Sequence, residues 1–104
     1  GSNPTTISLH NGAVASITYA ATGKYTVTLS SRDTYSVVCY GTADMEDAAS
    51  PDGAYASFGN VQNEGTSSPL TFVVSTFTSG GALNQFTSRR VWVALVVRNS
   101  AVAQ

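Results

Sequence analysis

Hydrophobic and polar residues alternate with a period of two along most of the chain. In residues 24–30, KYTVTLS, the side chains of Tyr25, Val27 and Leu29 fall on one face, and hydroxyl-bearing residues fall on the other. Side chains of a β-strand alternate between its two faces in this way. Helical spacing is almost absent from the sequence, so the pattern predicts an all-β domain built from half-buried strands.

A second strand is predicted immediately before this one, at residues 14–19. Its alternation is less clean and assigns Val14 and Ser16 to one side, with Ile17 and Tyr19 on the other. The intervening AATG ends in Gly23, which can adopt a positive φ without steric cost. The two strands are therefore predicted to form a hairpin.

Four further segments have strand character, because they are rich in β-branched and aromatic residues. They are residues 34–41 (TYSVVCYG), 54–61 (AYASFGNV), 70–77 (LTFVVSTF) and 91–98 (VWVALVVR). Between the first two, TADMEDAASPDG at residues 42–53 breaks the pattern and is predicted to be the longest loop or one short helix. Short, regularly spaced strands with Gly, Pro, Asn and Asp turns predict an antiparallel β-sandwich or jelly roll of about eight strands.

The last predicted strand, VWVALVVR, is apolar on both of its faces. A strand of this kind has to be covered on both sides, by the core of its own domain on one and by another subunit on the other. We therefore expect an oligomer interface at Trp92, Ala94, Val96 and Tyr40.

Length and termini bear on the domain organisation. A chain of 104 residues has the usual size of one domain. Gly1 and Ser2 resemble the remainder of a cleaved expression tag. We expect residues 1–12 to be tag remnant and linker, and residues 13–104 to form a single β-sandwich domain.

Composition excludes some classes of partner. Hydrophobic residues make up 42% of the chain and charged residues only 11%, with a formal net charge of −1. The five basic residues are scattered except for Arg89 and Arg90, so the electrostatic footprint of a nucleic-acid-binding protein is missing. The longest apolar run, residues 91–97, is far shorter than the roughly 20 residues of a membrane-spanning helix. Neither nucleic acid nor membrane insertion is expected.

The sequence marks no catalytic site. Cys39 is the single cysteine and lies in an apolar run, which is typical of a small buried hydrophobic residue. His10 is the single histidine, and no Ser, Cys or carboxylate partner is marked beside it. Phosphate-binding glycine loops, zinc spacings and paired carboxylates are also missing. We expect no enzyme and no cofactor.

Four of the six acidic residues lie in the predicted long loop and could supply oxygen ligands to Ca²⁺. They are Asp44, Glu46, Asp47 and Asp52. Their spacing matches no calcium-binding loop, so a solvated acidic loop is favoured over a metal site. An unchanged thermal midpoint in EDTA would end the calcium hypothesis.

Several segments together resemble a known family. These are ATGKYTVTLS, TYSVVCYGTA, LTFVVSTFTSGGALNQ and VWVALVV, within residues 13–97. They are similar to the small jelly-roll domains, of the tumour-necrosis-factor and complement type, at the C-terminal ends of bacteriophage tail fibres and related virion appendages. The resemblance implies a homotrimer joined to the rest of a fibre protein, located on the virion and acting outside the cell.

The favoured hypothesis is a homotrimeric tail-fibre tip that binds a host receptor, either a bacterial surface glycan or a protein. Recognition would then lie in loops carried by a rigid scaffold. The candidate contacts are Tyr55, Phe58, Asn60, Asn63, Asn84 and Gln85.

Two alternatives remain open. One is a structural module, either for trimerisation and capping or for virion decoration, without a ligand of its own. The other is a monomeric carbohydrate-binding module, which would present a row of exposed aromatic residues on one sheet face. Adsorption of the isolated domain to host cells distinguishes the first alternative, and glycan binding by a proven monomer would favour the second.

Overall fold

The computed structural model describes residues 14–31, 34–47, 52–86 and 89–98 and shows an all-β architecture. The described residues form six strands in two antiparallel sheets. In chain order the strands are β1 (Val14–Ala21), β2 (Lys24–Leu29), β3 (Val38–Met45), β4 (Tyr55–Gln62), β5 (Thr71–Phe77) and β6 (Val91–Arg98). Within these ranges there is no candidate for a membrane-spanning helix.

The larger sheet has four strands in the order β1-β2-β5-β4. The predicted hairpin between β1 and β2 is confirmed, and Gly23 takes a φ of 70° in its turn. Strand β5 lies between β2 and β4 and pairs with both. The predicted faces of β2 are also confirmed, since Val27 and Leu29 are buried in the core.

The smaller sheet consists of β3 and β6, paired residue by residue from Val38 opposite Arg98 to Met45 opposite Val91. Its inner face packs against the larger sheet. Cys39 belongs to the buried core, as the sequence predicts, and Leu95 and Val97 pack against the same cluster.

Apolar side chains between the two sheets form one core. Its buried members from the larger sheet and its flanks are Val27, Leu29, Leu70, Phe72 and Val74. Burying a side chain of this size contributes roughly 1.5–3 kcal/mol relative to leaving it exposed. The two sheets thus hold each other face to face in a sandwich-like arrangement.

The structure corrects the position of the third predicted strand. The strand begins at Val38 rather than residue 34, and it continues through Thr42 to Met45 into the predicted acidic loop. Tyr35 has a φ of 65°, which is incompatible with an extended strand. Strand β3 extends to Met45 because Asp44 and Met45 pair with Trp92 and Val91 of β6.

A bulge corrects the predicted faces of β1. The pairing register shifts between Val14 and Ser16, so that Val14 lies opposite Leu29 and Ser16 opposite Thr28. An extra residue in one strand changes the face on which later residues fall. Val14 consequently packs against the core together with Ile17, instead of pointing away from it.

The predicted all-β, antiparallel architecture is confirmed, but the described residues form six strands in two sheets and not the expected eight or so. Residues 1–13, which include His10 and the whole of the predicted tag remnant and linker, lie outside the described residues, and so do residues 48–51 of the predicted acidic loop.

Candidate functional site

All four predicted interface residues lie on the outer face of the β3–β6 sheet, which points away from the core. Tyr40 is opposite Val96, and Trp92 and Ala94 follow at two-residue intervals along β6. Trp92 is 52% exposed, Tyr40 53% and Val96 40%. Residues two apart on a strand share a face at a spacing of about 6.6 Å. The structure therefore brings the four side chains together in one exposed apolar patch, called the outer patch below.

In the first half of β6, side chains on the inner face of the sheet are also exposed. Val91 and Val93 point to the inner side of the sheet, yet they are 38% and 37% exposed. Only Leu95 and Val97, in the second half of the strand, pack against the core. Within the described part of the chain, only the second half of the inner face of β6 is therefore covered.

One edge of β6 has no partner strand among the described residues, because its sheet contains only β3 beside it. In an antiparallel pair, every second residue directs its backbone N–H and C=O toward the partner strand. The Cys39 N–H donates to Glu64 and therefore points away from β6. Val97 is opposite Cys39, so the backbone N–H and C=O of Val97 point away from β3. By the same alternation Val91, Val93 and Leu95 do so too.

The outer edge of β3 is partly closed, in contrast to that of β6. Glu64 accepts a hydrogen bond from the Cys39 N–H at 3.0 Å, and the Asp44 side chain accepts one from the Met45 N–H at 2.8 Å. The connection between β4 and β5 also bonds the segment before β3, since Gly65 donates to the Ser36 carbonyl at 2.8 Å. Such side-chain and loop contacts block strand addition on that edge.

Five of the six predicted ligand contacts lie toward the two ends of the larger sheet, and the sixth, Phe58, lies in the middle of β4. Tyr55 begins β4, and Asn84 and Gln85 follow β5 at the same end, whereas Asn60 and Asn63 lie at the other end of β4. A strand of eight residues is about 25 Å long. The structure does not bring all six residues into a single site, although Tyr55 and Asn60 both border the outer face of the larger sheet near Ser57.

Most of these candidates have a structural contact of their own. The half-buried Phe58 ring packs on the core residue Phe72, with 4.6 Å between ring centroids, so this ring points toward the core. Asn63 has a φ of 71° and donates to the Pro69 carbonyl at 2.9 Å. The Asn84 backbone bonds Thr76.

Tyr55 keeps an accessible ring. It is 41% exposed and stacks on Phe77, with centroids 4.9 Å apart and an interplanar angle of 18°. Because the two residues are paired across β4 and β5, both rings lie on the outer face of the larger sheet.

The acidic residues do not converge on a cation site within the described ranges, where no group of three potential metal ligands occurs. Asp44 lies in β3 opposite Trp92. Asp52 forms an ion pair with Arg89, whose guanidinium also lies 4.6 Å from the centre of the Phe86 ring. The hydrogen bond from Arg89 lowers the pKa of Asp52 below its ordinary value.

A row of polar residues that the sequence analysis missed crosses the outer face of the larger sheet. Lys24 of β2 is opposite Ser75 of β5, which in turn is opposite Ser57 of β4. Together with Gly59, Asn60 and the apolar residues Ala20, Phe58 and Val73, these residues line a shallow groove of about 320 Å³. The alternation in KYTVTLS already indicated a hydroxyl-rich face, but the pairing of three strands distant in sequence could not be read from it.

Comparison with known proteins adds no identification. No family model matches the chain, and searches of curated proteins and of solved structures give no significant match.

Proposed function

We propose that this chain is a self-assembling β-sandwich module that forms a homotrimer and acts in host attachment at the tip of a virion appendage. The observation that carries the proposal is the outer patch, in which Trp92, Ala94, Val96 and Tyr40 are presented together to solvent. The virion context and the threefold symmetry rest on the resemblance to tail-fibre jelly rolls described above, whereas a complement of about eight strands rests on the regular spacing of the predicted strands.

The chemistry of β6 supports assembly rather than an isolated monomer. Five of the nine large hydrophobic residues that are exposed in the described ranges belong to the β3–β6 sheet: Tyr40, Val91, Trp92, Val93 and Val96. Natural proteins usually protect an edge strand with charge, proline or a covering element. In β6 the only charged residue is Arg98, at the end of the strand.

Energetic considerations favour contact through this sheet. Aromatic residues such as Trp and Tyr are enriched in interface centres because they bury a large apolar area with few rotatable bonds. A stable interface buries roughly 800 Å² on each partner. The outer patch supplies its apolar centre, and the edge and inner flank of β6 extend it.

Assembly through the smaller sheet leaves the larger sheet free for attachment. The outer patch and the hydroxyl-bearing face are on opposite sides of the molecule, because the inner faces of the two sheets share one core. Three copies would then present three attachment surfaces, and their avidity compensates for weak single sites.

Sedimentation equilibrium tests the assembly. At micromolar concentration the chain should have three times the monomer mass, and Trp92→Lys and Val96→Lys should reduce it to that of a monomer with an unchanged β-sheet circular dichroism spectrum. The control is Thr18→Lys, which adds the same charge to an exposed position on the outer face of the larger sheet. A wild-type monomer at this concentration would remove the trimer from the proposal.

Attachment is tested separately by adsorption of the trimer to a panel of bacterial hosts. Saturable adsorption supports a receptor-binding tip. A stable trimer that adsorbs to none of them would instead favour the alternative, a trimerisation, capping or decoration module.

A further inference from the structure

The outer face of the larger sheet carries a single charge on an otherwise neutral surface. Among the 29 residues of β1, β2, β4 and β5, Lys24 is the only charged one. No described residue forms an ion pair with it. A lone ammonium group with neutral hydroxyls beside it is complementary to a partner with one anionic group and several hydroxyls.

Polar groups of the correct kind lie beside this charge. Ser75 is directly opposite Lys24, and Ser57 is opposite Ser75, so the row spans three adjacent strands and is about 10 Å long. Within the described ranges neither serine side chain has a hydrogen-bond partner. Both hydroxyls can donate and accept, as the hydroxyls of a sugar do.

The groove is shaped by a glycine and a bulge. At Gly59 an added Cβ would have no atom within 4 Å, so the space above this residue is open. The register shifts between Gly59 and Gln62, and Asn60 takes a φ of 55° at this bulge. Its side-chain carbonyl accepts a hydrogen bond from the Gln62 amide at 3.1 Å, which orients the Asn60 amide at the rim of the groove.

An aromatic surface borders the polar row. Tyr55 lies two residues before Ser57 on the same face, a distance of about 7 Å, and its stacked partner Phe77 lies two residues after Ser75. The C–H groups on the face of a sugar ring pack against an exposed aromatic ring, while the ring hydroxyls remain free for hydrogen bonds.

We infer that the outer face of the larger sheet binds an acidic saccharide, with Lys24 holding the carboxylate or phosphate, Ser57 and Ser75 bonding hydroxyls, and Tyr55 packing on a sugar ring. This inference rests on the attachment part of the proposed function and does not depend on the trimer. Recognition would then lie on the face of the larger sheet and not in loops at its ends.

Titration of the ¹⁵N-labelled chain with trigalacturonic acid tests the site directly. The amides of Lys24, Ser57, Gly59 and Ser75 should shift in a saturable way at millimolar ligand. The carboxyl-reduced trisaccharide should bind roughly tenfold more weakly, because it lacks the charge-assisted contact. Mannose 6-phosphate forms a second arm, and a response to it alone would support the site and assign the anion as phosphate.

Two variants separate the site from the fold. Lys24→Gln should weaken binding roughly tenfold, whereas Lys24→Arg should retain it. Gly59→Val should abolish binding by filling the groove, and its β-branched side chain suits a strand with open space above it. Arg98→Gln, on the opposite sheet, is the matched charge control and should change nothing.

The inference is overturned if neither acidic probe shifts these amides, if the shifts map to another surface, or if Lys24→Gln and Gly59→Val bind as the wild type does. Host adsorption without binding of either probe would overturn the acidic-saccharide assignment alone. Probe binding without host adsorption would remove the attachment function and leave the saccharide site standing.

Discussion

Gly41 of β3 lies against the backbone carbonyl oxygen of Ala94 in β6, and the contact leaves no room for a side chain. A Cβ at Gly41 would lie far inside van der Waals distance of that oxygen. This close contact lies one residue from the pair of Tyr40 and Val96. It therefore supports the pairing register of β3 and β6 that forms the outer patch.

Gly41→Ala is therefore expected to destabilise the fold, because the two strands must move apart to accept a methyl group. Overpacking of this kind costs about 1–3 kcal/mol, measurable as a lower midpoint of urea unfolding. Gly59→Ala is the matched control in another strand. Its methyl group enters open space, and the loss of glycine flexibility should leave stability unchanged or raise it by up to about 1 kcal/mol. Equal effects of the two substitutions would contradict this account.

Acid should weaken the tie between the segment before β4 and the segment before β6. The pKa of Asp52 is lowered in the folded state, first by the hydrogen bond from Arg89 and then by the bond it accepts from the Ala54 N–H. A carboxyl with a lower pKa in the folded state stabilises the fold above its unfolded pKa of about 3.9, and that stabilisation is lost as the pH falls through the folded value. The thermal midpoint of the wild type should therefore decrease as the pH is lowered through this acidic range.

Asp52→Asn should remove this part of the pH dependence. The difference in thermal midpoint between wild type and variant should be largest at neutral pH and should vanish in strong acid. A double-mutant cycle with Arg89→Gln assigns the effect to the pair, because partners that act only through each other are not additive. Additive losses would show that each side chain acts elsewhere.

Thr76 joins three segments from a buried position. Its backbone N–H donates to the Gly23 carbonyl at 2.8 Å, and its hydroxyl donates to the Asn84 carbonyl at 2.7 Å. Thr76→Val keeps the shape but leaves the Asn84 carbonyl without that donor, which should cost about 1–3 kcal/mol in urea unfolding. Thr18→Val, at an exposed position, should change stability by less than about 0.5 kcal/mol. A neutral Thr76→Val would show that water replaces the hydroxyl.

Strand positions in this chain could be predicted where alternation and turn residues agree. Strand β6 has the predicted bounds, and β2 begins at the predicted residue, because a glycine turn precedes it and its apolar face is unbroken. Strand β3 was displaced because its pairing partner, rather than local composition, decides where it ends. Asp44 and Met45 are stabilised as strand residues by Trp92 and Val91, which lie more than 45 residues later in the chain.

In the candidate sites, too, local spacing predicted some of the residue positions, and long-range strand pairing determined the others. Trp92, Ala94 and Val96 could be placed on one face from their spacing of two, and Tyr40 joins them through the strand register. The row of Lys24, Ser75 and Ser57 needs two strand pairings between segments that are distant in sequence. The inward direction of the Phe58 ring could not be predicted, because alternation divides residues between two faces without telling which of them is buried.

Glu64 should control local opening at the edge of β3. Its carboxylate is the acceptor for the Cys39 N–H, which points away from β6 and toward the connection after β4. Glu64→Ala removes this acceptor, so hydrogen exchange at the Cys39 amide should accelerate about tenfold or more, in line with a hydrogen bond to a charged group. Glu64→Gln keeps an oxygen acceptor and should restore most of the protection, while exchange at core amides such as that of Phe72 stays unchanged in both variants. Because the effect is confined to one amide, uniform acceleration across the sheet in Glu64→Ala would mean that the residue stabilises the whole fold, and no acceleration would mean that the contact does not protect the edge of β3.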